Sequence, residues 1–160
     1  MDQTRRLAGH LQSLGLPPGS NIALLSKNTA WWLISDYAIW MAGHVSVPLY
    51  PTLAAGTIGQ ILTHSEARLL IVGKLDGFET MRPGIPAGLP CLATPLAPAG
   101  AGTPWDEALA AAAPLAGEPV RPAEELATLI YTSGTTGLPK GVMHSFANFA
   151  WALQQGIERI

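Results

Sequence analysis

Charge is scarce in this chain. Nine Lys and Arg stand against eleven Asp and Glu, 12% of 160 residues are charged, and the formal net charge is -2. No long-range field of one sign results, so non-specific binding of nucleic acid or anionic lipid is excluded as an occupation. Cysteine is scarcer still: Cys91 is the only one, which forbids an internal disulfide and fits a reducing cytoplasm. His10, His44, His64 and His144 are too scattered to suggest a zinc site. Behind Met1 come Asp2, Gln3 and two arginines with no apolar core, which is not the layout of a secretory leader. A long uninterrupted apolar run is missing too. The most apolar stretch, Ala30 to Tyr50, is broken by Asp36, Gly43, His44 and Pro48, whereas a spanning helix needs roughly 20 predominantly apolar residues.

What is abundant is apolar side chain, 48% of the residues, enough to bury one core and too little chain for two comfortable domains. One domain, or part of one, is expected. Leu7, Leu11 and Leu14 share a helical stripe that should stop at Gly15 and Pro17. Ile22 to Ser26 reads as a strand, after which Asn28 or Thr29 can cap a helix running to about Met41 and ended by Gly43. In that helix only Ser35 and Asp36 offer a polar strip, as for a helix sandwiched between layers. Val45 to Tyr50 and Leu69 to Val72 read as strands flanking a weaker helix, Thr57 to Thr63. Short apolar strands alternating with helices predict a layered α/β fold, a largely parallel sheet with helices on both faces.

Residues 81–122 change character: nine of the fourteen prolines stand between Arg82 and Pro122, predicting a proline-rich surface connection. Within it a short strand at Pro90 to Thr94 is expected, and a short helix capped by Thr103, with Pro104 first and Asp106 third. Leu126 to Tyr131 is the next strand, Gly141 to His144 a returning one, and Phe146 to Ile160 a helix without a closing cap. The chain is expected to be cut rather than finished. Trp31, Trp32 and Trp40 read as core packing, the four histidines as structural, and Asp36 as a partner in a hydrogen bond or ion pair.

The stretch TSGTTGLPKG, residues 132–141, concentrates glycines, hydroxyls and one lysine behind an apolar strand. Gly134, Gly137 and Gly141 permit close backbone approach, so that successive N–H groups can converge on an anion. Lys140 adds a mobile charge, and Thr132, Ser133, Thr135 and Thr136 add hydroxyls able to meet phosphate oxygens or a magnesium ion. A polyphosphate is the natural guest. Spacing removes three competitors. A Walker A loop needs Gly-Lys-Ser/Thr, but Lys140 lies between Pro139 and Gly141. A nucleophile elbow needs glycine where Tyr131 stands. The dinucleotide fingerprint fails at its first glycine spacing.

Tyr131 to Val142 resembles the phosphate-binding signature of the adenylate-forming, AMP-binding superfamily of acyl-CoA synthetases, luciferases and peptide-synthetase adenylation domains. The resemblance extends upstream to the helix with Asp36 and Tyr37, to Gly43–Pro51 and to Ser65–Val72, and is weakest in the proline-rich middle. It implies part of the large amino-terminal domain of an acyl-CoA synthetase-like enzyme. In that scheme a carboxylate, such as a fatty or other organic acid, attacks the α-phosphorus of ATP, and the acyl-adenylate then passes to coenzyme A or a carrier-protein thiol. Thr132, Ser133, Gly134, Thr135, Thr136, Gly137, Leu138, Pro139, Lys140 and Gly141 would form the ATP-phosphate loop, with Lys140 and Thr132 as the catalytic contacts and Thr132 nearest Mg2+. Many members carry a histidine where Phe146 stands here. The resemblance further implies that the later adenine, ribose and carboxy-terminal lysine motifs lie outside these 160 residues, so that the fragment should not turn over alone. A non-catalytic nucleotide-binding or scaffold module is the alternative.

Overall fold

The computed structural model describes residues 2–133 and 139–157. Helix α1 (Asp2–Ser13) buries Leu7, Ala8 and Leu11 completely. Leu14 does not continue that stripe as expected. The Gly15 N–H closes on the Gln12 carbonyl and Gly15 takes a φ of 65°, so the helix ends first and Leu14 is left exposed in the turn.

Strand β1 (Asn21–Leu25) leads to α2 (Ala30–Met41). Thr29 caps α2 as expected, with extended backbone and its hydroxyl accepting from the Trp32 N–H at 3.2 Å. Strand β2 (Val45–Leu49), helix α3 (Ala55–His64) and strand β3 (Leu69–Val72) follow. Next come the single turn α4 (Phe78–Met81) with a 3-10 turn at Arg82–Gly84, strands β4 (Cys91–Ala93) and β5 (Thr103–Pro104), and α5 (Trp105–Ala110). Strands β6 (Leu126–Ser133) and β7 (Pro139–Ser145) and helix α6 (Phe146–Ile157) complete the order.

The seven strands form one sheet in the order β5-β4-β3-β1-β2-β6-β7. Every pairing is parallel except β6 with β7. Because alternate strand residues point to opposite faces, Ile22, Leu24, Leu69, Ile71 and Leu92 meet α1, α2 and α5 on one side. Ala23, Leu25, Val47, Leu49, Leu70 and Val72 meet α3 and α4 on the other. Covering both faces removes water altogether from Ile22 to Leu25 of β1 and Leu70 to Val72 of β3, as the unbroken apolar strands predict.

Three expectations are corrected. In α2 the polar strip is inside: Asp36 is 8% exposed and Ser35 fully buried, while Leu33 and Tyr37 are each 54% exposed. Ser35, Ala38, Ile39 and Ala42 recur at helical spacing, and these mostly small residues allow close packing on α1 and the sheet. That rotation turns Leu33, Tyr37 and Trp40 towards a groove beside Phe146 and Phe149. The proline-rich segment is more than a surface connection, since it supplies two strands and buries Leu92, Trp105, Ala108 and Leu109 in the core. Within it Thr103 is a strand residue and Pro104 the cap position, with no side-chain cap hydrogen bond. The helix starts at the buried anchor Trp105 instead.

Candidate functional site

The hairpin of β6 and β7 holds Thr132, Ser133, Pro139, Lys140 and Gly141 of the expected phosphate-binding residues. Its register sets Thr132 opposite Lys140, Tyr131 opposite Gly141 and Ser133 opposite Pro139. Directly opposed residues project from the same face, so a hydroxyl and an ammonium stand together at the hairpin mouth, both exposed. Lys140 takes part in none of the ion pairs among the described residues. Gly134, Thr135, Thr136, Gly137 and Leu138 lie outside the described residues.

Gly141 serves a nearer purpose. A Cβ there would stand 3.2 Å from Tyr131 Cζ, so glycine lets the Tyr131 ring lie against the β7 backbone. That ring is 4% exposed. Its hydroxyl shares a 2.7 Å hydrogen bond with His64 Nδ1, and the two rings meet edge to face at 5.8 Å. Burial pushes the Tyr131 phenol above its ordinary pKa of 10.0, so the hydroxyl keeps its proton at neutral pH.

Beyond the carboxyl ends of β2 and β6 opens a cleft of about 210 Å³, lined by Pro48, Tyr50, Thr52, Thr57, Tyr131, Thr132 and Pro139 among others. The carboxyl ends of parallel strands are where open α/β sheets take ligands. Tyr50, Thr52 and Thr57 escaped the sequence reading, though the place of Tyr50 and Thr52 after a parallel strand, and of Thr57 in the first turn of its crossover helix, was the available signal. A second recess, about 650 Å³, runs along Gly59, Gln60, Thr63 and His64 to Pro139.

Other expected residues sit elsewhere. His44 is buried near the end of α2, and its Nδ1, like that of His10, has no hydrogen-bond partner among the described residues. These histidines are structural, but not fully satisfied. Burial holds both imidazoles below the ordinary pKa of 6.5, and for His44 the nearby Arg121 charge lowers it further while a backbone hydrogen bond at Leu11 offsets part. Burial pushes the Asp36 carboxyl up, and the neighbouring Ser46 hydroxyl draws it partly back without meeting full hydrogen-bond geometry. Among the described residues Asp36 makes no ion pair. His144 packs its ring against Phe149 at 6.1 Å. Phe146 meets Trp40 edge to face at 5.6 Å and carries the Arg121 guanidinium 5.1 Å above its ring, which makes it an aromatic bracket between α2 and α6. Trp40 also donates through Nε1 to the Ala127 carbonyl at 2.8 Å, a packing role in line with its sequence reading.

The donor set bears on a metal as well. Among the described residues no group of three or more His, Cys, Asp or Glu side chains could hold one. A magnesium ion brought by a polyphosphate takes most of its oxygen ligands from phosphate and water, and the Thr132 hydroxyl fits that supporting place.

A mostly parallel sheet covered on both faces, with a hydroxyl-lined cleft beyond two adjacent strand ends, is the architecture of small-ligand-binding α/β proteins. The chain belongs to the AMP-binding enzyme family, whose pattern matches residues 1–159. It is 35% identical over 158 residues to the long-chain-fatty-acid–CoA ligase FadD15 of Mycobacterium bovis, covering 92% of this chain and 26% of that protein. It is 35% identical over 146 residues to the 2-succinylbenzoate–CoA ligase of Bacillus licheniformis, covering 91% and 28%. Among solved structures, a benzoate CoA ligase from Burkholderia xenovorans LB400 superposes with a TM-score of 0.78 at 28% identity, covering 94% of this chain and 29% of the other. The fold is thus that of the amino-terminal domains of adenylate-forming enzymes. The chain spans about a quarter of the length of the curated relatives it matches. No helix among the described residues is long and apolar enough to cross a membrane.

Proposed function

We propose that this chain is the ATP-phosphate-binding part of an acid–thiol ligase that activates a carboxylate as acyl-adenylate and transfers the acyl group to coenzyme A. The observation that carries the reading is Thr132 standing opposite Lys140 at the mouth of the β6–β7 hairpin, on the rim of a hydroxyl-lined cleft. The relatives are named for fatty, succinylbenzoic and benzoic acids; the chemistry they share is a carboxylate, and that is the substrate class proposed here.

The role of these residues is positioning and charge stabilisation. Lys140, exposed and outside every ion pair of the described residues, meets the β- and γ-phosphate oxygens and holds the leaving pyrophosphate in line. The Thr132 hydroxyl binds beside it and supports the magnesium ion, which neutralises phosphate charge when bound. Ser133 and Pro139 frame the mouth. Tyr50, Thr52 and Thr57 give the opposite wall hydrogen-bonding capacity without negative charge, so the wall does not repel an anionic ligand. No nucleophilic side chain is required, because the substrate carboxylate itself attacks the α-phosphorus. With a single, half-buried cysteine in these 160 residues, we place the protein in the cytoplasm, where thiols stay reduced.

In the intact protein, carboxylate-dependent exchange of pyrophosphate into ATP is expected. Lys140→Ala and Thr132→Ala should each lower it roughly 100-fold, the cost of removing one preorganised donor to developing charge. Absence of exchange with long-chain, short-chain and aromatic carboxylates alike would sink the enzyme reading; retained Mg·ATP binding without exchange would favour a non-catalytic nucleotide-binding module.

A further inference from the structure

Strands β2 and β6 are held together unevenly. Their parallel ladder pairs Ser46 with Thr128, near the start of β6, and the Thr128 hydroxyl donates to the Ser46 carbonyl at 2.8 Å. Trp40 fixes the same region by donating to the Ala127 carbonyl. Towards their carboxyl ends the two strands have no ladder partners among the described residues, and there the cleft opens between Pro48–Leu53 on one side and Tyr131, Thr132 and Pro139 on the other. At that open end, among the described residues, one polar link crosses from hairpin to helix. Tyr131, the residue before Thr132, shares its hydroxyl with Nδ1 of His64, the last residue of α3. Helix α3 also carries Thr57 and Ile61 into the same cleft.

We infer that Tyr131 and His64 form a positioning pair, a hydrogen-bonded tie that joins the two walls of the cleft and sets where Thr132 and Lys140 meet the phosphates of the ligand. The inference rests on the phosphate-binding reading given above. Packing alone does not call for the hydroxyl: a phenylalanine at 131 would fill the same space and lie on Gly141 equally well. The hydroxyl is directional where packing is not, because the bond can form only when the β6 end and the α3 end are at one separation. Its position matters as much as its strength. Thr132 follows Tyr131 directly and Lys140 is the cross-strand partner of Thr132, so a shift of the Tyr131 backbone moves both contacts together. Neither Tyr131 nor His64 need touch the ligand for this to work.

The test is made in the intact protein with Mg·ATP as probe, by calorimetric affinity, KM for ATP and unfolding midpoint. Tyr131→Phe and His64→Ala should each weaken Mg·ATP binding and raise KM for ATP by about tenfold, the scale of one hydrogen bond. The double variant should be no worse than either single one. His64→Asn, whose amide reaches the position of Nδ1, should restore binding to within about threefold, which a merely space-filling role for His64 would not produce. Lys140→Ala separates the two levels of the claim. If Lys140→Ala weakens binding while Tyr131→Phe and His64→Ala bind as the parent does, the positioning inference is overturned and the phosphate reading stands. If Lys140→Ala has no effect, the phosphate reading falls, and the inference with it. A lowered unfolding midpoint with unchanged KM in both Tyr131→Phe and His64→Ala would also overturn it, as the mark of a structural bond only.

Discussion

Arg121→Ala should be the most damaging single truncation of a polar side chain away from the cleft. Helix α2 has no basic residue in its last turn, so its terminal carbonyls lack the local cation that commonly satisfies them. Arg121 supplies one from far along the chain: its Nη1 donates to the Trp40 carbonyl at 2.9 Å and the His44 carbonyl at 3.2 Å. Its Nε donates to Glu125 at 2.6 Å, and its guanidinium covers Phe146. The Arg121 side chain is 14% exposed and that of Glu125 46%. Charged hydrogen bonds are worth roughly 1.5–3 kcal/mol; with two sharing one nitrogen, about 2 kcal/mol is a fair sum. The half-exposed ion pair adds ~0.5 kcal/mol and the cation–π contact ~0.5 kcal/mol, for a loss of about 3 kcal/mol. Urea unfolding followed by tryptophan fluorescence reads this as a lower midpoint at unchanged slope. Arg121→Lys, which keeps the charge but not the fork, should recover less than half. Removing Arg121 also removes a cause of the lowered His44 pKa, so the variant's remaining stability should be less sensitive to acid. A loss below ~1 kcal/mol, the scale of a surface ion pair, would refute the reasoning.

Acid sensitivity of the parent protein follows from His10 and His44. Their folded pKa values lie below 6.5, so the unfolded chain binds more protons in that window; stability should be full above about pH 6.5 and fall as pH drops through the lowered values, and a flat profile there would contradict their burial. Asp36 has the opposite sign. Its carboxyl is pushed above the ordinary 3.8, so ionising it subtracts stability above that value; Asp36→Asn should raise the unfolding midpoint at pH 7, and the gain should vanish below about pH 4. Gly141→Ala places a methyl 3.2 Å from the Tyr131 ring and should cost about 1–3 kcal/mol by overpacking, with weaker Mg·ATP binding if the ring must leave His64. Cys91 is half-buried and its thiol is pushed up by burial, so disulfide exchange with a soluble aromatic disulfide should be slower than for free cysteine.

The alternation of strands and helices was legible because each parallel strand is buried on both faces and therefore reads as a short apolar run. The cap at Thr29 and the stops at Gly15 and Gly43 were legible because they are local. Longer-range choices were not. Nothing in a helix as apolar as α2 says which stripe faces the core, and the small residues Ser35, Ala38 and Ala42 turned inward the side that carries the polar strip. Nor does proline content reveal that residues 91–93 and 103–104 pair with the sheet, since pairing depends on the neighbouring strand. At the site, the chemistry of Thr132 and Lys140 was readable from residue type, while their cross-strand opposition required the hairpin register. The Tyr131–His64 and Arg121–Trp40 links join residues 67 and 81 positions apart, and no local pattern announces them.

Phosphorus NMR of Mg·ATP added to the intact protein tests the central claim most directly, because it reports separately on each phosphate. Binding at the β6–β7 hairpin mouth predicts that the β- and γ-phosphate resonances shift on addition of protein, and that Lys140→Ala abolishes most of that shift while an exposed lysine elsewhere, such as Lys74, can be replaced without effect. Unshifted β and γ resonances at saturating ATP, or shifts that persist in Lys140→Ala, would contradict it.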